Sequence, residues 1–297
     1  YCHYPNGRGR PENASVAGLS AAYIIQQMAD FKNGVRKSSE PKMGPPALMA
    51  TLSKSVSDAD VKAAAEYFAS LKWTQWIKVT EASTVPKTRI AGGMFIPAEG
   101  GGTEPLGKRI LEMPEDRERT ELRDSQSPFV AYVPVGSIKK GETLAKSRAL
   151  DCSVCHGADL QGVGPVPGIA GRSPSYLARQ MFDMQVGARH GEWADVMKPI
   201  VAKLTEEDLV NIVAYVSSRM PPTSPGLTAR SRRNRSIYPN RHSTPCSYSD
   251  VRHRRVFGWF STWSRSRGRK MVRKTRSTSI ATAMAISPDH RKKSRAR

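Results

Sequence analysis

The sequence predicts an all-α protein in which one small helical unit occurs twice, with an irregular linker between the copies and a disordered basic tail after them. Identical residues recur at a fixed distance along the first part of the chain, and each copy ends in a segment with helical spacing of its apolar residues. The tail differs from both copies in composition. The predicted boundaries are residues 1–72 and 137–222 for the two domains, 73–136 for the linker and 223–297 for the tail.

The repeat is marked by residues that match at an offset of 153, beginning with Cys2-His3 and Cys155-His156. The same offset pairs Gly18 with Gly171, Tyr23 with Tyr176, Gln27 with Gln180, Met28 with Met181, Asp30 with Asp183, Gly34 with Gly187 and Arg36 with Arg189. The offset then becomes 148 and pairs Met49 with Met197, Ser57 with Thr205, Asp60 with Asp208, Tyr67 with Tyr215 and Ser70 with Ser218. A register kept over so many positions indicates two copies of one unit.

Each copy ends in a predicted amphipathic helix. Ser57 in the first copy and Thr205 in the second are followed by acidic residues, which is typical of a helix N-terminus. In the second copy the apolar residues that share one helical face are Leu209, Ile212, Val213 and Val216. Such small units bury little apolar surface, so a large apolar cofactor in the core would stabilise them.

The linker is rich in glycine, proline and charged residues, including the run Gly100–Gly102. This composition indicates loops and turns with a few short extended pieces, such as Phe129–Val133. We predict no regular fold for it.

The segment Cys152-Ser153-Val154-Cys155-His156 has the spacing C-x-x-C-H, which is typical of covalent haem attachment. Two cysteines three residues apart lie on one face of a helical turn, so both thiols can form thioethers with the vinyl groups of one porphyrin. The histidine that follows can then bind the iron. A redox C-x-x-C pair or half of a zinc site is the alternative, but no second cysteine pair supplies zinc ligands.

Met197 is the predicted sixth iron ligand. An isolated methionine usually fills a core, but Met197 and its repeat partner Met49 each lie eight residues before the cap of the closing helix. Met43 lacks this register. A thioether sulfur opposite a histidine favours ferrous iron, and this ligand pair leaves no open position for a substrate. The site is therefore predicted to carry single electrons.

The segment Pro167–Gly171 is either an ordinary turn or a loop whose carbonyl, for example that of Pro167, accepts a hydrogen bond from His156. Tyr176 and Arg189 are candidates for contacts with the haem edge or its propionates, with surface or packing roles as the alternative.

Together these residues resemble class I cytochromes c of the bacterial two-haem type. The resemblance covers residues 1–72 and 138–222 through C-x-x-C-H, P-x-I-x-G, S-Y-L-A-R-Q-M and V-M-K-P-I-V-A-K-L-T-E-E-D. It implies two small helical haem domains with His/Met ligation. The haem-attaching residues would be Cys2, Cys152 and Cys155, and the iron ligands His3, Met49, His156 and Met197.

The resemblance also implies export to the periplasm and electron transfer among dehydrogenases, quinol-oxidising complexes and terminal oxidases. We predict an electron carrier, which could be the electron-transfer subunit of a dehydrogenase, and not an enzyme. The alternative is a two-haem peroxidase with one open haem, against which Met49 argues. No stretch approaches the ~20 apolar residues that a transmembrane helix needs.

The first haem motif departs from the family pattern, because Tyr1 stands directly before Cys2-His3. The first cysteine of that motif would lie upstream, so we expect the start of the natural protein and its export leader to be missing. As printed, the first haem site is incomplete and offers one thioether, through Cys2.

Residues 227–297 carry a net charge of +18 out of +21 for the whole chain, with 16 Arg and 12 Ser. Such a composition cannot bury a core, which favours a non-native extension over a disordered segment attracted to an anionic membrane or an acidic partner. Nucleic-acid binding is a third alternative, because Trp259, Phe260 and Trp263 could stack on bases. No known motif frames them, so no nucleic-acid partner is predicted. Cys246 is expected to be a free thiol.

Overall fold

The computed structural model describes residues 2–220, and helices lie at both ends of this range. The first copy of the repeat contains α1 (Ala21–Lys32), α2 (Gly44–Ser55) and α3 (Asp58–Ser70). Helix α1 contacts both α2 and α3. Within the described range, no helix is long and apolar enough to cross a bilayer. The interpretations of residues 223–297, including that of Cys246, concern a segment outside the described residues.

Hydroxyl side chains begin α1 and α3. The hydroxyl of Ser20 accepts a hydrogen bond of 3.3 Å from the backbone N–H of Tyr23. In the same way, the hydroxyl of Ser57 accepts one of 3.1 Å from Asp60. The first N–H groups of a helix have no partner inside it, so a hydroxyl at this position stabilises the start of the helix. The cap predicted at Ser57 is confirmed.

The segment between the copies contains short strands and one short helix. In chain order these are β1 (Ile77–Glu81), β2 (Thr84–Pro86), β3 (Thr88–Ala91), β4 (Met94–Pro97), β5 (Thr103–Pro105), β6 (Leu111–Pro114), α4 (Arg117–Glu121) and β7 (Phe129–Val133). The strands β1, β7 and β6 form one sheet in that order. β1 runs parallel to β7 with Ile77 opposite Phe129, and β6 runs antiparallel to β7 with Leu111 opposite Tyr132. β2 pairs with β5 and β3 with β4, both antiparallel.

The prediction of an all-α chain with an irregular linker is therefore wrong for the segment from Ile77 to Val133. The strands there are three to five residues long, and β1 pairs with β7, which lies far along the chain. Short strands with distant partners leave no local periodicity in the sequence. The extended piece predicted at Phe129–Val133 is the central strand of the sheet, and its buried residues alternate with half-buried ones.

The sheet packs against the start of the chain. Trp76, Ile77 and Phe129 form a buried cluster with Tyr4, which follows the first Cys-His pair. The indole N–H of Trp76 donates a hydrogen bond of 3.2 Å to the carbonyl of Gly9. The linker is thus part of the core that supports the first copy.

The second copy contains α5 (Ser137–Ala145), α6 (Ser153–His156), β8 (Gly162–Val163), β9 (Val166–Pro167), α7 (Pro174–Gln185), α8 (Glu192–Val201) and α9 (Glu206–Ser218). Thr205 and Asp208 form a capping box at the start of α9. The apolar face predicted for this helix is confirmed, since Leu209, Ile212, Val213 and Val216 are all buried. They pack within a copy that is mostly helical.

Helices α5 and α9 cross in very close contact. A Cβ atom at Gly141 in α5 would lie 1.8 Å from the carbonyl oxygen of Asn211 in α9. Only glycine fits at this crossing, because any side chain would collide with backbone atoms. The close approach lets α9 lie against both α5 and α7 and close the core of the second copy.

Candidate haem-binding sites

The predicted haem-attachment motif lies on and beside α6. Cys152 precedes this one-turn helix, and Cys155 and His156 lie within it. Cys152 is half-buried and packs against the apolar core of the second copy, whereas Cys155 is exposed. Both are free thiols, which thioether formation requires. Burial raises the pKa of the Cys152 thiol.

The ring of His156 is buried and held by the backbone. Its Nδ1 lies 2.8 Å from the carbonyl oxygen of Pro167, at the end of β9. The carbonyl can only accept, so Nδ1 carries the proton and Nε2 is left to bind iron. Burial lowers the pKa of His156, although the hydrogen bond to Pro167 acts in the opposite direction. The segment Pro167–Gly171 is therefore not just an ordinary turn, because its Pro167 carbonyl accepts a hydrogen bond from His156.

The loop that presents Pro167 is tight. A Cβ atom at Gly168 would lie 2.4 Å from the carbonyl oxygen of Gln161, so a side chain does not fit there. The strands β8 and β9, which directly precede Gly168, pair with each other. The small hairpin thereby sets the position of the carbonyl that holds His156.

Met197 lies on α8 and is half-buried. It packs against a buried cluster of Met184, Ala194 and Val201. Met181 and Leu204 contact this cluster and also the one that contains Cys152. The segments that carry the predicted cysteine and methionine therefore share apolar neighbours.

In the first copy, Cys2, His3 and Met49 line one cavity. The Nδ1 atom of His3 lies 2.7 Å from the carbonyl oxygen of Ala14. Ala14 is the repeat partner of Pro167, so both histidines are held in the same way. Burial lowers the pKa of His3 as well. The structure thus brings the three predicted residues of the first site together.

Met43 lines the same cavity as Met49. The hydroxyl of Ser38 lies 3.9 Å from the sulfur of Met43, so this sulfur already has a partner in the protein. The repeat register and this contact both favour Met49 as the iron ligand.

The cavity suits a haem. Besides the candidate ligands, its wall is largely apolar and includes Val16, Leu19, Ile24, Met28, Phe31, Pro45, Pro46 and Leu48. An apolar wall with a histidine, a methionine and a cysteine thiol supplies donors of the kinds that hold a c-type haem.

Side chains of the second copy also line the first cavity, which sequence reasoning missed. They are Tyr176, Arg179, Gln180 and Asp183, all on α7. The first cavity is therefore completed by the other copy of the repeat.

Two arginines cross between the copies. Arg36 donates to the hydroxyl of Tyr176 at 2.8 Å and to the amide oxygen of Gln180 at 3.2 Å. Arg189 donates to the equivalent residues of the first copy, Tyr23 at 3.2 Å and Gln27 at 2.9 Å. The two candidate haem-contacting residues of the sequence analysis, Tyr176 and Arg189, thus lie in an interface between the copies.

A signal for this interface was present in the sequence. The tyrosine, glutamine and arginine of each copy are identical at the repeat offset. A pseudo-two-fold contact uses the same surface of both units, so identical residues on that surface are expected.

The chain is similar to known proteins over part of its length. Residues 138–219 match the family model for cytochrome c. Cytochrome c-554(548) of Halomonas halodenitrificans is 39% identical over 69 residues, which cover 23% of this chain and 83% of that protein. Cytochrome c4 of Azotobacter vinelandii is 29% identical over 133 residues, which are 39% of this chain and 63% of that protein, so less than two thirds of its length is matched.

A longer match covers more than three quarters of the chain. The protein named thiosulfate dehydrogenase electron acceptor from Thiomonas intermedia is 24% identical over 234 residues, covering 78% of this chain and 82% of that protein. Since a relative that is 39% identical is covered over 83% of its length and residues 138–219 match the family model, we conclude that this chain belongs to the cytochrome c family, whose cofactor is haem c.

Proposed function

We propose that this chain is a two-haem cytochrome that carries single electrons between redox proteins, and that it is not an enzyme. The observation that carries the proposal is the repeated histidine arrangement. In both copies, a histidine after a cysteine donates from Nδ1 to a backbone carbonyl, Ala14 for His3 and Pro167 for His156. Such a bond fixes the ring so that Nε2 faces a metal.

When bound, haem c supplies an iron that gains and loses one electron. The chain's own residues do the rest. Cys152 and Cys155 would attach the group covalently, and His156 and Met197 would ligate its iron. With a histidine and a methionine both bound to the iron, no position would be open to a substrate, which suits electron transfer and not bond making.

A first haem in the cavity lined by Cys2, His3 and Met49 gives the count of two. The apolar wall of that cavity and the sequence repeat support this count. The printed residues supply one thioether to this haem, through Cys2. The peroxidase alternative would need a vacant axial position, and Met49 lines the cavity where the vacancy would have to be.

We infer that the electron donor is a dehydrogenase, since a relative that matches most of this chain is named as the electron acceptor of thiosulfate dehydrogenase. A quinol-oxidising complex or a terminal oxidase is the other redox partner that we propose. Such encounters bury little surface and weaken as salt rises. Because the family that the chain resembles attaches its haem after export, we propose a periplasmic location.

The test is to produce the chain behind an export leader in a bacterial host with cytochrome c maturation machinery. We expect a red protein that keeps its haem through acid–acetone extraction, with a low-spin spectrum and a sulfur-to-iron charge-transfer band. Haem should be counted against protein as the pyridine complex. Colourless protein, or pigment lost on extraction, would contradict the proposal.

The peroxidase alternative is tested on the same material. Rapid turnover of peroxide by the reduced protein, with a high-spin band at rest, would favour an enzyme over a carrier.

A further inference from the structure

Arg172 lies where the two histidine-holding loops meet. Its guanidinium donates three hydrogen bonds, all to backbone carbonyls: Nε to Gly168 at 2.6 Å, Nη1 to Ser15 at 2.8 Å and Nη2 to Ala17 at 3.0 Å. The side chain belongs to the second copy, and two of its three acceptors belong to the first. Arg172 is therefore bound to both copies at once.

These carbonyls adjoin the ones that hold the histidines. Gly168 follows Pro167, which accepts from His156, and Ser15 follows Ala14, which accepts from His3. A continuous path of peptide bonds and hydrogen bonds thus joins one histidine ring to the other through Arg172.

Arg172 binds equivalent carbonyls of the two copies, but the first copy has no equivalent arginine. Gly168 and Ser15 are partners at the offset of 153, so Arg172 binds the same carbonyl of both copies. The residue at the position of Arg172 in the first copy is Leu19, whose side chain cannot donate a hydrogen bond. The sequence repeat alone does not reveal this asymmetry.

Trp73 completes the bridge. Its ring lies under the guanidinium, with 4.5 Å from the Cζ of Arg172 to the ring centroid. Its indole N–H donates 3.2 Å to the carbonyl of Ala170, the repeat partner of Ala17. The contact with the ring favours one orientation of the planar guanidinium.

Arg172 is a buried cation without a carboxylate partner. It is 5% exposed, and none of the ion pairs among residues 2–220 includes it. Burial lowers its pKa to about 10, so it keeps its charge at neutral pH. A positive charge in a poorly solvated region favours any nearby state that has gained an electron.

We propose that Arg172 is a positioning residue that holds the two histidine loops in register and, through its charge, raises the reduction potential of the haem bound by His156. The inference rests on the proposed function, since it needs a haem on that histidine. The hydrogen bonds of Arg172 and its positive charge contribute separately to the reduction potential, and different variants remove each of them.

The test compares three full-length variants made and matured like the wild type. Arg172→Leu introduces the residue found at the equivalent position of the first copy and removes both charge and hydrogen bonds. Arg172→Lys keeps the charge, but an ammonium group cannot reproduce the planar three-way geometry. Trp73→Phe is the matched control, because it keeps a ring under the guanidinium and removes only the bond to Ala170.

The readouts are the reduction potential of the second haem, by spectroelectrochemistry, and the hyperfine-shifted NMR signals of its methyl groups, which report the orientation of the histidine ring. We expect Arg172→Leu to shift the potential downwards and to change the methyl pattern. Arg172→Lys should change the pattern with a smaller shift in potential. Trp73→Phe should leave the potential unchanged.

A folded Arg172→Leu protein with the wild-type potential and methyl pattern would overturn the inference. If that variant does not keep its haem, Arg172→Lys decides, and wild-type values for both readouts would overturn the inference equally. A downward shift of the potential in Trp73→Phe as large as that in Arg172→Leu would also overturn the inference. The potential would then depend on any contact between the copies and not on Arg172 in particular. Wild-type protein without covalent haem would instead contradict the proposed function itself.

Discussion

Met197 is the residue whose proposed role differs most from that of its neighbours. It packs beside Met184 in one apolar cluster, yet only Met197 has a repeat partner before the closing helix. If its sulfur is the sixth ligand, Met197→Ala should keep the haem, because Cys152 and Cys155 still attach it. The reduction potential should fall and the iron should accept an external ligand, since a thioether favours the ferrous state.

Loss of the sulfur-to-iron band and binding of added imidazole would measure this change. Met184→Leu is the matched control, as it alters a buried methionine of the same cluster with little change in volume. Its band should persist. A Met197→Ala protein that retains the band would show that another residue ligates the iron.

Glu112 is a buried carboxyl group that the proposed electron transfer does not use. It lies on β6 and accepts hydrogen bonds from the hydroxyl of Ser173 at 2.7 Å and the backbone N–H of Ser175 at 3.1 Å. Burial raises its pKa to about 7 from the ordinary value of 4.5. Between pH 4.5 and about pH 7, the Glu112 carboxyl is therefore protonated in the folded state and ionised in the unfolded chain.

Stability due to Glu112 is complete below pH 4.5 and decreases as pH rises towards 7. The loss over this range is about 3 kcal/mol, from ~1.4 kcal/mol per pKa unit. Glu112→Gln cannot ionise, so the difference in unfolding free energy between wild type and variant should change by this amount across the range. Urea unfolding at several pH values measures it. A difference that does not vary with pH would mean that Glu112 is ionised in the fold.

At the scale of elements, α5 and α9 depend on one glycine. A Cβ atom at Gly141 would lie 1.8 Å from Asn211 O, which belongs to backbone that cannot easily move. Gly141→Ala should lower the unfolding free energy by roughly 1–3 kcal/mol or more, because the helices must separate. Gly44→Ala is the control, since a Cβ atom there meets nothing within 4 Å.

Thermal or urea unfolding of both glycine variants measures the effect. Gly44 is the first residue of α2, and alanine favours a helix, so that variant should match or exceed the wild type. Equal stability of the two variants would mean that α5 and α9 do not cross so closely in solution.

The elements differ in how much of them the sequence could predict. The cap and the buried face of α9 were readable because they depend on residues three and four apart. The strand β1 could not be predicted from the sequence, since its partner β7 is distant along the chain and their pairing leaves no periodic pattern. The carbonyl of Pro167 was one of two open alternatives, because proline and glycine indicate a turn without specifying which carbonyl it presents.

Contacts between the copies were the least predictable part of the sites. Arg172 donates to Ser15 and Ala17, which no spacing rule connects to it. The lining of the first cavity by α7 depends in the same way on how the two copies pack. Repetition shows that two units exist, but which surfaces meet is a property of the whole fold.

For the molecule as a whole, the interface predicts non-additive stability. The amide oxygen of Gln27 accepts from Arg36 at 2.8 Å and from Arg189 at 2.9 Å, and that of Gln180 also accepts from both arginines. Removing one arginine leaves each oxygen with one donor. Removing both leaves a buried oxygen on Gln27 with no donor, which costs roughly 1–3 kcal/mol.

The positive charges of Arg36 and Arg189 also make the double variant less stable than the sum of the single variants predicts. The first substitution removes the repulsion between the two charges, and the second has no repulsion left to remove. The double variant Arg36→Leu/Arg189→Leu should therefore lose more unfolding free energy than the sum of the single variants. Urea unfolding of all four proteins gives the coupling. Arg36→Leu combined with Arg117→Leu is the control pair, since Arg117 is exposed and its one ion pair within residues 2–220 is with Glu121 on α4.

The control pair should be additive within about 0.5 kcal/mol. Additivity in the Arg36/Arg189 pair as well would show that the two arginines do not share acceptors, and the two copies would then be joined mainly by Arg172 and the linker. An excess loss confined to the Arg36/Arg189 pair would instead mean that the copies unfold as one cooperative unit through this interface, since each copy supplies the glutamine that the other copy's arginine requires.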